Sequence, residues 1–261
     1  MKGIAMRNLN VSLIQSPLVW EDAAANRELF QQHIANVGNT DLILLPEMFN
    51  SGFSMNATAI AEPMGGPTET WLRNMAEQYD CAIAGSIAVA HGDAISNRML
   101  FVTCEGTQYY DKRHLFRMSA EGSHYQLGSE RCIVQWRDWR LCLQVCYDLR
   151  VPVWSRNKGD YDALIYVANW PAKRRYHWRQ LLIARAIENQ ACVLGLNRIG
   201  DDNNGLSYSG DSLVVAADGE LLLDAGDSEG VFSAVLDADR QNTYRRKFPS
   251  HMDGDDFLLT V

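Results

Sequence analysis

Three residues with different chemistry each lie at the end of a strand-like run. Glu47 follows DLILLP, Lys112 follows QYYD, and Cys146 follows LCLQV. A carboxylate can act as general acid or base, a thiol as nucleophile, and an ammonium as the cation that stabilises a developing oxyanion. Because the carboxyl ends of strands line the functional crevice of α/β sheets, these side chains could meet there. If they do, the set can support nucleophilic catalysis through Cys146.

Each of these residues also has an ordinary structural explanation when it is considered alone. A cysteine at the end of an apolar strand is most often a packed small hydrophobe, Pro-Glu is a common solvated turn, and Asp-Lys-Arg is typical of a charged loop. What favours reactivity at Cys146 is Asp148, which can cap a helix whose N-terminal amides stabilise a thiolate. We therefore expect an exposed strand-to-helix joint, with Asp148 as its cap and Arg150 in a buried ion pair behind the nucleophile.

Strand-like and helix-like segments alternate along the chain. The strand-like segments are rich in Val, Ile, Leu and aromatic residues, and they are residues 10–15, 41–46, 81–88, 99–104, 140–146, 162–168, 191–197, 212–217 and 230–237. Helical patterns cover residues 21–37, 68–79 and 178–190. These strands are too apolar for a sheet with one solvent-exposed face, and they alternate with helices. This pattern indicates a layered α/β protein. Asp218-Gly219 predicts a hairpin turn, so we expect mixed sheets.

The composition limits the classes of function. The chain has 261 residues, 47% of them hydrophobic, and a formal net charge of -8. This acidic balance argues against nucleic acid or an anionic membrane as a partner, because both favour a basic surface. No linker or repeat interrupts the chain, so we expect one domain over residues 1–261 with a small-molecule partner.

The N-terminal residues and the cysteines help to predict the cellular compartment of the protein. MKGIAMRNLN lacks the apolar stretch of a signal peptide, and no run approaches the ~18 residues that span a bilayer. The six cysteines lie mostly in apolar runs, which suits reduced thiols better than a disulfide framework. We expect a cytoplasmic protein in which a low-pKa Cys146 alkylates faster than five buried cysteines.

Three ordered motifs carry a resemblance to a known family. The chain resembles the nitrilase (carbon–nitrogen hydrolase) superfamily, whose Glu-Lys-Cys triad is matched by LLPEMF around Glu47, YDKRHLF around Lys112 and VCYDLRVP around Cys146. The resemblance continues through VANWP, RAIENQ and Gly-Asp-Ser at 210–212, so it covers nearly the whole chain. Within the superfamily, the motifs LPEMF, SGF and KRHLFRM most resemble those of the ω-amidase branch.

The resemblance implies a fold, an assembly and a catalytic mechanism. It implies a four-layer α-β-β-α sandwich with mixed sheets, a homodimer, and no metal or other cofactor. Glu47 would act as general base and Cys146 as nucleophile, with a thioester intermediate. Lys112 and the backbone N–H of Tyr147 would hold the oxyanion. A second family carboxylate corresponds to Glu121, which would fix Lys112 and keep it charged.

The resemblance also suggests a substrate class, namely small dicarboxylate monoamides of the 2-oxoglutaramate or 2-oxosuccinamate type. Three cations, Lys173, Arg174 and Arg175, precede a helical run, where they oppose the helix dipole. A solvated helix start would also explain them. In the family this segment lines the acyl pocket, so we expect Arg174 to bind the remote carboxylate, although either neighbour could do so.

The expected walls of the cavity are Trp170, Tyr125 and Phe49, around Arg174. Two other classes of function stay open at this point. The chain could be a nitrilase or an N-carbamoyl amidohydrolase that acts on another small substrate. It could also be a catalytically silent small-molecule binding protein with the same fold, although the intact set of Glu47, Lys112 and Cys146 argues against that.

Overall fold

A computed structural model describes residues 6–260. Its strands are β1 (Leu9–Gln15), β2 (Leu42–Leu44), β3 (Glu62–Pro63), β4 (Ala82–His91), β5 (Ala94–Thr103), β6 (Gly106–Asp111), β7 (Cys132–Trp136), β8 (Trp139–Val145), β9 (Ala163–Ala168), β10 (Cys192–Asn197), β11 (Ile199–Asp201), β12 (Ser207–Ser209), β13 (Leu213–Val215), β14 (Leu221–Asp224) and β15 (Gly230–Leu236). Its helices are α1 (Ala23–Ile34), α2 (Ala57–Ile60), α3 (Pro67–Tyr79), α4 (Glu121–His124), α5 (Pro152–Ser155), α6 (Arg175–Asn189) and α7 (Ala238–Lys247). Three short 3₁₀-helices cover Cys146–Arg150, Ala172–Arg174 and Ser250–Asp253.

Two mixed sheets form the centre of the molecule. The first has the order β15-β1-β2-β4-β5-β6, with β3 paired to β4. The second has the order β14-β13-β10-β9-β8-β7. Both contain parallel pairs, such as β1 with β2 and β8 with β9, and antiparallel pairs, such as β4 with β5 and β7 with β8. The predicted mixed sheets are therefore confirmed.

Alternation of side chains along the strands divides the interior into layers. In β2, Leu42 and Leu44 pack with the second sheet in one buried cluster, whereas Ile43 belongs to a second cluster with α1 and α3. This is the period-two pattern of a strand that is buried on both faces. On the other side, α6 packs on β10, where a Cβ at Gly195 would collide with Leu182. The layers are helix, sheet, sheet and helix, as expected.

The predicted elements are present with small changes in their ends. Each of the nine predicted strands and each of the three predicted helices has a counterpart. The Asp218-Gly219 turn joins β13 to β14, which pair antiparallel. The short strands β3, β11 and β12 are not apparent from the sequence, because two or three residues cannot display a periodicity.

Two expectations concern the chain termini and membranes. Of the N-terminal segment MKGIAMRNLN, residues 1–5 lie outside the described residues. Between residues 6 and 260, no helix is long and apolar enough to cross a membrane.

Candidate active site

The three residues that follow strands converge in one pocket. Glu47 lies three residues beyond β2, Lys112 follows β6 directly, and Cys146 follows β8 directly. All three side chains are buried and line the same cavity. Lys112 Nζ lies 2.9 Å from Glu47 Oε1. The sheets thus bring together the thiol, the carboxylate and the ammonium that the sequence separates by up to 99 positions.

The joint after β8 holds Cys146 in an unusual backbone conformation. β8 runs into the 3₁₀-helix Cys146–Arg150 without a loop, and Cys146 has φ 46°. Left-handed backbone is rare for a residue that carries a Cβ, and such positions concentrate at functional sites. The strand-to-helix joint is therefore as predicted, but Cys146 is only 8% exposed, so the expectation of an exposed joint is wrong.

Asp148 stabilises this joint from inside the first turn. Its Oδ2 accepts from Val145 N at 3.0 Å and from the Tyr110 hydroxyl at 2.8 Å. Its Oδ1 accepts from His114 N at 2.9 Å and lies 2.7 Å from His114 Nδ1. Val145 occupies the N-cap position itself, so Asp148 caps the turn from three residues further on.

The predicted ion pair between Asp148 and Arg150 is wrong. Four donors from Val145, Tyr110 and His114 already occupy the Asp148 carboxylate. Arg150 points the other way and lines the pocket. Its Nη2 donates to His177 Nδ1 at 3.0 Å, and its guanidinium lies 4.8 Å from the centre of the Trp170 ring.

Hydrogen bonds fix both oxygens of Glu47. Oε1 accepts from Lys112 Nζ and from Asn97 Nδ2, each at 2.9 Å. Oε2 accepts from Asn169 N at 2.7 Å, and Asn169 Nδ2 donates to the backbone carbonyl of Glu47 at 2.6 Å. The carboxylate therefore has one orientation, as a proton-transfer group requires.

Lys112 lies between two carboxylates. Its Nζ is 2.8 Å from Glu121 Oε1 and 2.9 Å from Glu47 Oε1. Burial by itself would lower the pKa of Lys112, but the charges of Glu121 and Glu47 outweigh it and hold that pKa well above its usual value. Burial raises the pKa of Glu121, and the Lys112 ammonium opposes this effect. Lys112 is thus a permanent cation beside the thiol.

The surroundings of Cys146 favour the protonated form of its thiol. Burial raises its pKa well above the ordinary value of 9.0, the Glu47 carboxylate raises it further, and Lys112 opposes both effects. The expectation of a low-pKa thiolate is therefore wrong, and a base must remove the proton. The expectation that the other five cysteines are buried is wrong for two of them, since Cys104 is exposed and Cys132 is half-buried.

The pocket next to Cys146 has a volume of about 260 Å³. Its lining includes Trp170, Arg174 and Tyr147, all expected from the sequence. The complete lining is Glu47, Phe53, Met55, Lys112, Phe116, Ser119, Cys146, Tyr147, Arg150, Asn169, Trp170, Pro171, Arg174, Asp202, Asn204, Leu206 and Tyr208. The small volume and the mixture of aromatic and charged lining residues suit a small organic molecule with polar groups.

Phe49 and Tyr125 lie outside this lining, contrary to expectation. Phe49 is fully buried between the first sheet and its helices, where it packs edge-on against Phe30 at 5.6 Å between ring centres. Tyr125 is buried in a small cluster with Met48, and its hydroxyl donates to Ser54 O at 2.7 Å. Phe53, four residues after Phe49, lines the pocket instead.

The three consecutive cations have different environments. Arg174 lines the pocket, with its guanidinium 5.3 Å from the centre of the Phe116 ring. Arg175 is paired with Asp211 at 2.7 Å. Lys173 is exposed and is not part of the lining. Of the three candidates, Arg174 is the one whose position suits contact with a ligand.

Several lining and supporting residues are absent from the sequence-based prediction. Asn169 directly follows the apolar strand β9, so the rule that singled out Cys146 could have found it. Asn97 lies inside β5 and gives no local signal. The hairpin of β11 and β12 contributes Tyr208 and part of its connecting loop to the pocket lining. These strands have three residues each, too few to be recognised from the sequence.

Within residues 6–260, no three His, Cys, Asp or Glu side chains are grouped so that they could hold a metal ion. The groups that do converge are a protonated thiol, an oriented carboxylate and a fixed ammonium. Together they can form a covalent acyl intermediate and stabilise the charge that develops on a carbonyl oxygen.

Comparison with known proteins identifies the family of this chain. Residues 8–246 match the family described as carbon-nitrogen hydrolase. The chain is 49% identical to omega-amidase YafV of Yersinia enterocolitica, over 97% of this chain and all of that protein. It is 32% identical to the 2-oxoglutaramate amidase of Bacillus subtilis (strain 168), over 81% and 83% of the two chains.

A solved structure is also similar over the whole chain. It is the crystal structure of XC1258 from Xanthomonas campestris, a CN-hydrolase superfamily protein with an arsenic adduct in its active site. The two structures superpose with a TM-score of 0.96 at 42% identity, over 98% of this chain and 100% of that chain. The chain is therefore a member of the carbon–nitrogen hydrolase family, an amidase of the nitrilase superfamily.

Proposed function

We propose that the protein hydrolyses the terminal amide of small dicarboxylate monoamides, of the 2-oxoglutaramate or 2-oxosuccinamate type, to the acid and ammonia. The similarity to proteins named omega-amidase and 2-oxoglutaramate amidase supports this substrate class. The observation that carries the proposal is the pocket itself, which has Cys146, Glu47 and Lys112 among its lining residues together with the guanidinium of Arg174.

The first half of the proposed reaction makes a thioester. Glu47 removes the proton from the Cys146 thiol, and the sulfur attacks the amide carbon. The carbonyl oxygen becomes an oxyanion, which Lys112 Nζ and the Tyr147 N–H stabilise. Glu47 returns its proton to the amide nitrogen, the carbon–nitrogen bond breaks, and ammonia leaves.

The second half releases the acid. Water enters where ammonia left, and Glu47 takes one of its protons as the oxygen attacks the thioester carbon. The tetrahedral intermediate collapses, the carbon–sulfur bond breaks, and Cys146 recovers the proton from Glu47. The raised pKa of the Cys146 thiol supports this order, because a protonated nucleophile needs Glu47 in every cycle.

Glu121 acts through Lys112 in this scheme. Both of its oxygens contact Lys112 Nζ, at 2.8 and 3.1 Å. Oε2 also accepts from Phe116 N, which ties the carboxylate to the loop at the pocket wall. Glu121 therefore fixes the position of the ammonium and helps to keep it charged.

Arg174 is proposed to bind the remote carboxylate of the substrate. Trp170 Nε1 donates to Arg174 O at 2.9 Å, which holds the short helix that carries the guanidinium. A guanidinium can give a carboxylate two parallel charge-assisted hydrogen bonds. Trp170 supplies an apolar wall beside it.

An ammonia-release screen tests this function. Purified protein is assayed with ω-monoamides of dicarboxylates, simple amides, N-carbamoyl compounds and nitriles. We expect turnover of the monoamides, and its absence in Cys146→Ala, which removes the nucleophile and retains a small apolar side chain. Turnover of nitriles, or carbon dioxide released with ammonia, would instead indicate a nitrilase or an N-carbamoyl amidohydrolase.

We further propose that residues 1–261 act as one domain, as a cytoplasmic homodimer with no nucleic-acid or membrane partner. The buried cluster shared by both sheets supports one domain. Cys81, Cys142 and Cys192 are buried within the core, an environment that suits reduced thiols. Light scattering coupled to size-exclusion chromatography would test the dimer, and a monomer peak at micromolar concentration would contradict it.

A further inference from the structure

A second guanidinium, that of Arg150, shares the pocket with Arg174. Both residues are half-buried and both line the cavity that contains Cys146. Each lies over an aromatic ring, Arg150 at 4.8 Å from the centre of Trp170 and Arg174 at 5.3 Å from the centre of Phe116. The two cations reach the pocket from separate segments, the turn after β8 and the short helix before α6.

No carboxylate of the described chain pairs with either guanidinium within ion-pair distance. Asp202 lines the same pocket, but its Oδ1 accepts from Asn204 N at 2.8 Å and from Leu206 N at 3.0 Å. Its Oδ2 accepts from the Tyr208 hydroxyl at 2.8 Å. The other lining carboxylate, Glu47, is bound to Lys112 and to two asparagines.

Two unpaired cations in one small pocket are unfavourable when the pocket contains no anion. Burial lowers the pKa of Arg150, and the nearby charge of Arg174 lowers it further, so the structure disfavours the charged form of this guanidinium. The side-chain hydrogen-bond partner of Arg150 is a histidine nitrogen, His177 Nδ1, at 3.0 Å from its Nη2. A bound carboxylate would compensate both cations at once.

We infer that Arg150, together with Arg174, binds the carboxylate end of the substrate and that Arg150 sets a preference for 2-oxo over 2-amino monoamides. The inference rests on the proposed function and adds a second binding residue to it. A 2-oxo group beside the carboxylate is an acceptor, so it can share the N–H groups of the two guanidiniums. A 2-ammonium group in the same place would be repelled by both cations.

The test compares Arg150→Met with Lys173→Met on three substrates: 2-oxoglutaramate, glutamine and butanamide. We expect Arg150→Met to lower kcat/KM for 2-oxoglutaramate by about 10- to 100-fold, the range for a lost charged hydrogen bond. Activity on butanamide should change less than about threefold, because butanamide has no carboxylate to bind. Lys173→Met removes an exposed cation next to Arg174 and should change none of the three.

The selectivity ratio separates recognition from a structural role. In Arg150→Met the ratio of kcat/KM for 2-oxoglutaramate over glutamine should fall by about 10-fold, since repulsion of the ammonium is also reduced. Arg150→Lys keeps the charge and should retain more of this ratio than Met does. An equal loss on all three substrates, or an unchanged ratio, would overturn the assignment.

A binding measurement makes the inference independent of turnover. Calorimetry with 2-oxoglutarate, which has the carboxylate end without the amide, is performed on Cys146→Ser and on Cys146→Ser with Arg150→Met. Weaker binding in the second protein supports the role of Arg150 even if no monoamide proves to be a substrate. Equal binding overturns it, even if the wild-type protein hydrolyses 2-oxoglutaramate.

Discussion

At the scale of single residues, Glu47 has the central position in the proposed mechanism. Its two oxygens accept hydrogen bonds from Lys112, Asn97 and Asn169, so its orientation is set before a substrate arrives. The same carboxylate raises the pKa of the Cys146 thiol. Burial is the larger cause of that raised pKa and Glu47 adds to it. In the proposed mechanism the same carboxylate is the base that removes the thiol proton.

A substitution at Glu47 should separate these two effects. Glu47→Gln should lower amide turnover by at least about 100-fold, because it removes proton transfer. It should also lower the pKa of Cys146, since a neutral amide no longer opposes the thiolate. We therefore expect faster iodoacetamide labelling of Cys146 at pH 8 in the variant than in the wild type, as measured by peptide mass spectrometry.

Exposed Cys104 provides the internal standard for this comparison, because it lies outside the pocket in both proteins. Slower labelling of Cys146 in Glu47→Gln would contradict the assignment of Glu47 as the group that raises the thiol pKa. Wild-type turnover in the variant would remove Glu47 from the role of base.

At the scale of elements, the turn that begins at Cys146 is tied to the chain around the end of β6. Asp148 makes this connection, because it accepts from Val145 at the end of β8, from Tyr110 within β6 and from His114 just beyond β6. Cys146 and Lys112 therefore share one buried support. Trp154 extends it, since its Nε1 donates to the Tyr110 hydroxyl at 2.9 Å.

Loss of the Asp148 carboxylate should weaken both stability and catalysis. Asp148→Asn places an N–H₂ group where the carboxylate accepts from donors, so buried groups lose their partners at a cost of about 2–4 kcal/mol. We expect this loss in the free energy of unfolding, measured with urea, and a fall in kcat as the turn relaxes. Asp93→Asn, at an exposed carboxylate in the β4–β5 turn, is the matched control and should change neither quantity. A fully stable Asp148→Asn protein would contradict the role of this support.

At the scale of the whole molecule, the layers place many ionisable groups out of water. Burial raises the pKa of Cys146 above 9.0 and that of Tyr110 above 10.0, and nearby carboxylates raise that of Lys112 above 10.5. In each case the folded protein keeps its proton to a higher pH than the unfolded chain does. The folded state is therefore favoured below these ordinary values, and the advantage is lost as the pH rises through the folded values.

The stability of the protein should therefore fall in alkaline solution. Above its own ordinary value, 9.0 for Cys146, 10.0 for Tyr110 and 10.5 for Lys112, each group reduces the free energy of unfolding by about 1.4 kcal/mol per pH unit while its folded and unfolded protonation differ. Thermal unfolding from pH 7 to 11 should show a falling midpoint, with a shallower slope in Tyr110→Phe. Tyr109→Phe, which removes a more exposed hydroxyl from the same strand, is the control for loss of a phenol. An unfolding midpoint that stays constant up to pH 11 would contradict the link between these raised pKa values and stability.

The sequence by itself determined which reactive side chains the site contains and that they follow strands. A strand-like run that stops at Glu47, Lys112 or Cys146 defines a strand end, and the carboxyl ends of strands in an α/β protein line one crevice. This rule depends only on local pattern, so it also applies to Asn169 after β9. The layered architecture follows from the alternation of apolar strands and helices, which is again a local property.

Only the tertiary structure decided which side chains form the walls and what charge state they have. Phe49 and Phe53 are neighbours in sequence, yet one packs under the first sheet and the other lines the pocket. Arg150 lines the pocket, whereas donors from distant positions fill the Asp148 carboxylate. The protonated state of Cys146 likewise arises from burial by several segments and from Glu47, 99 positions away. Burial and electrostatics sum over neighbours in space, and the order of residues along the chain does not specify those neighbours.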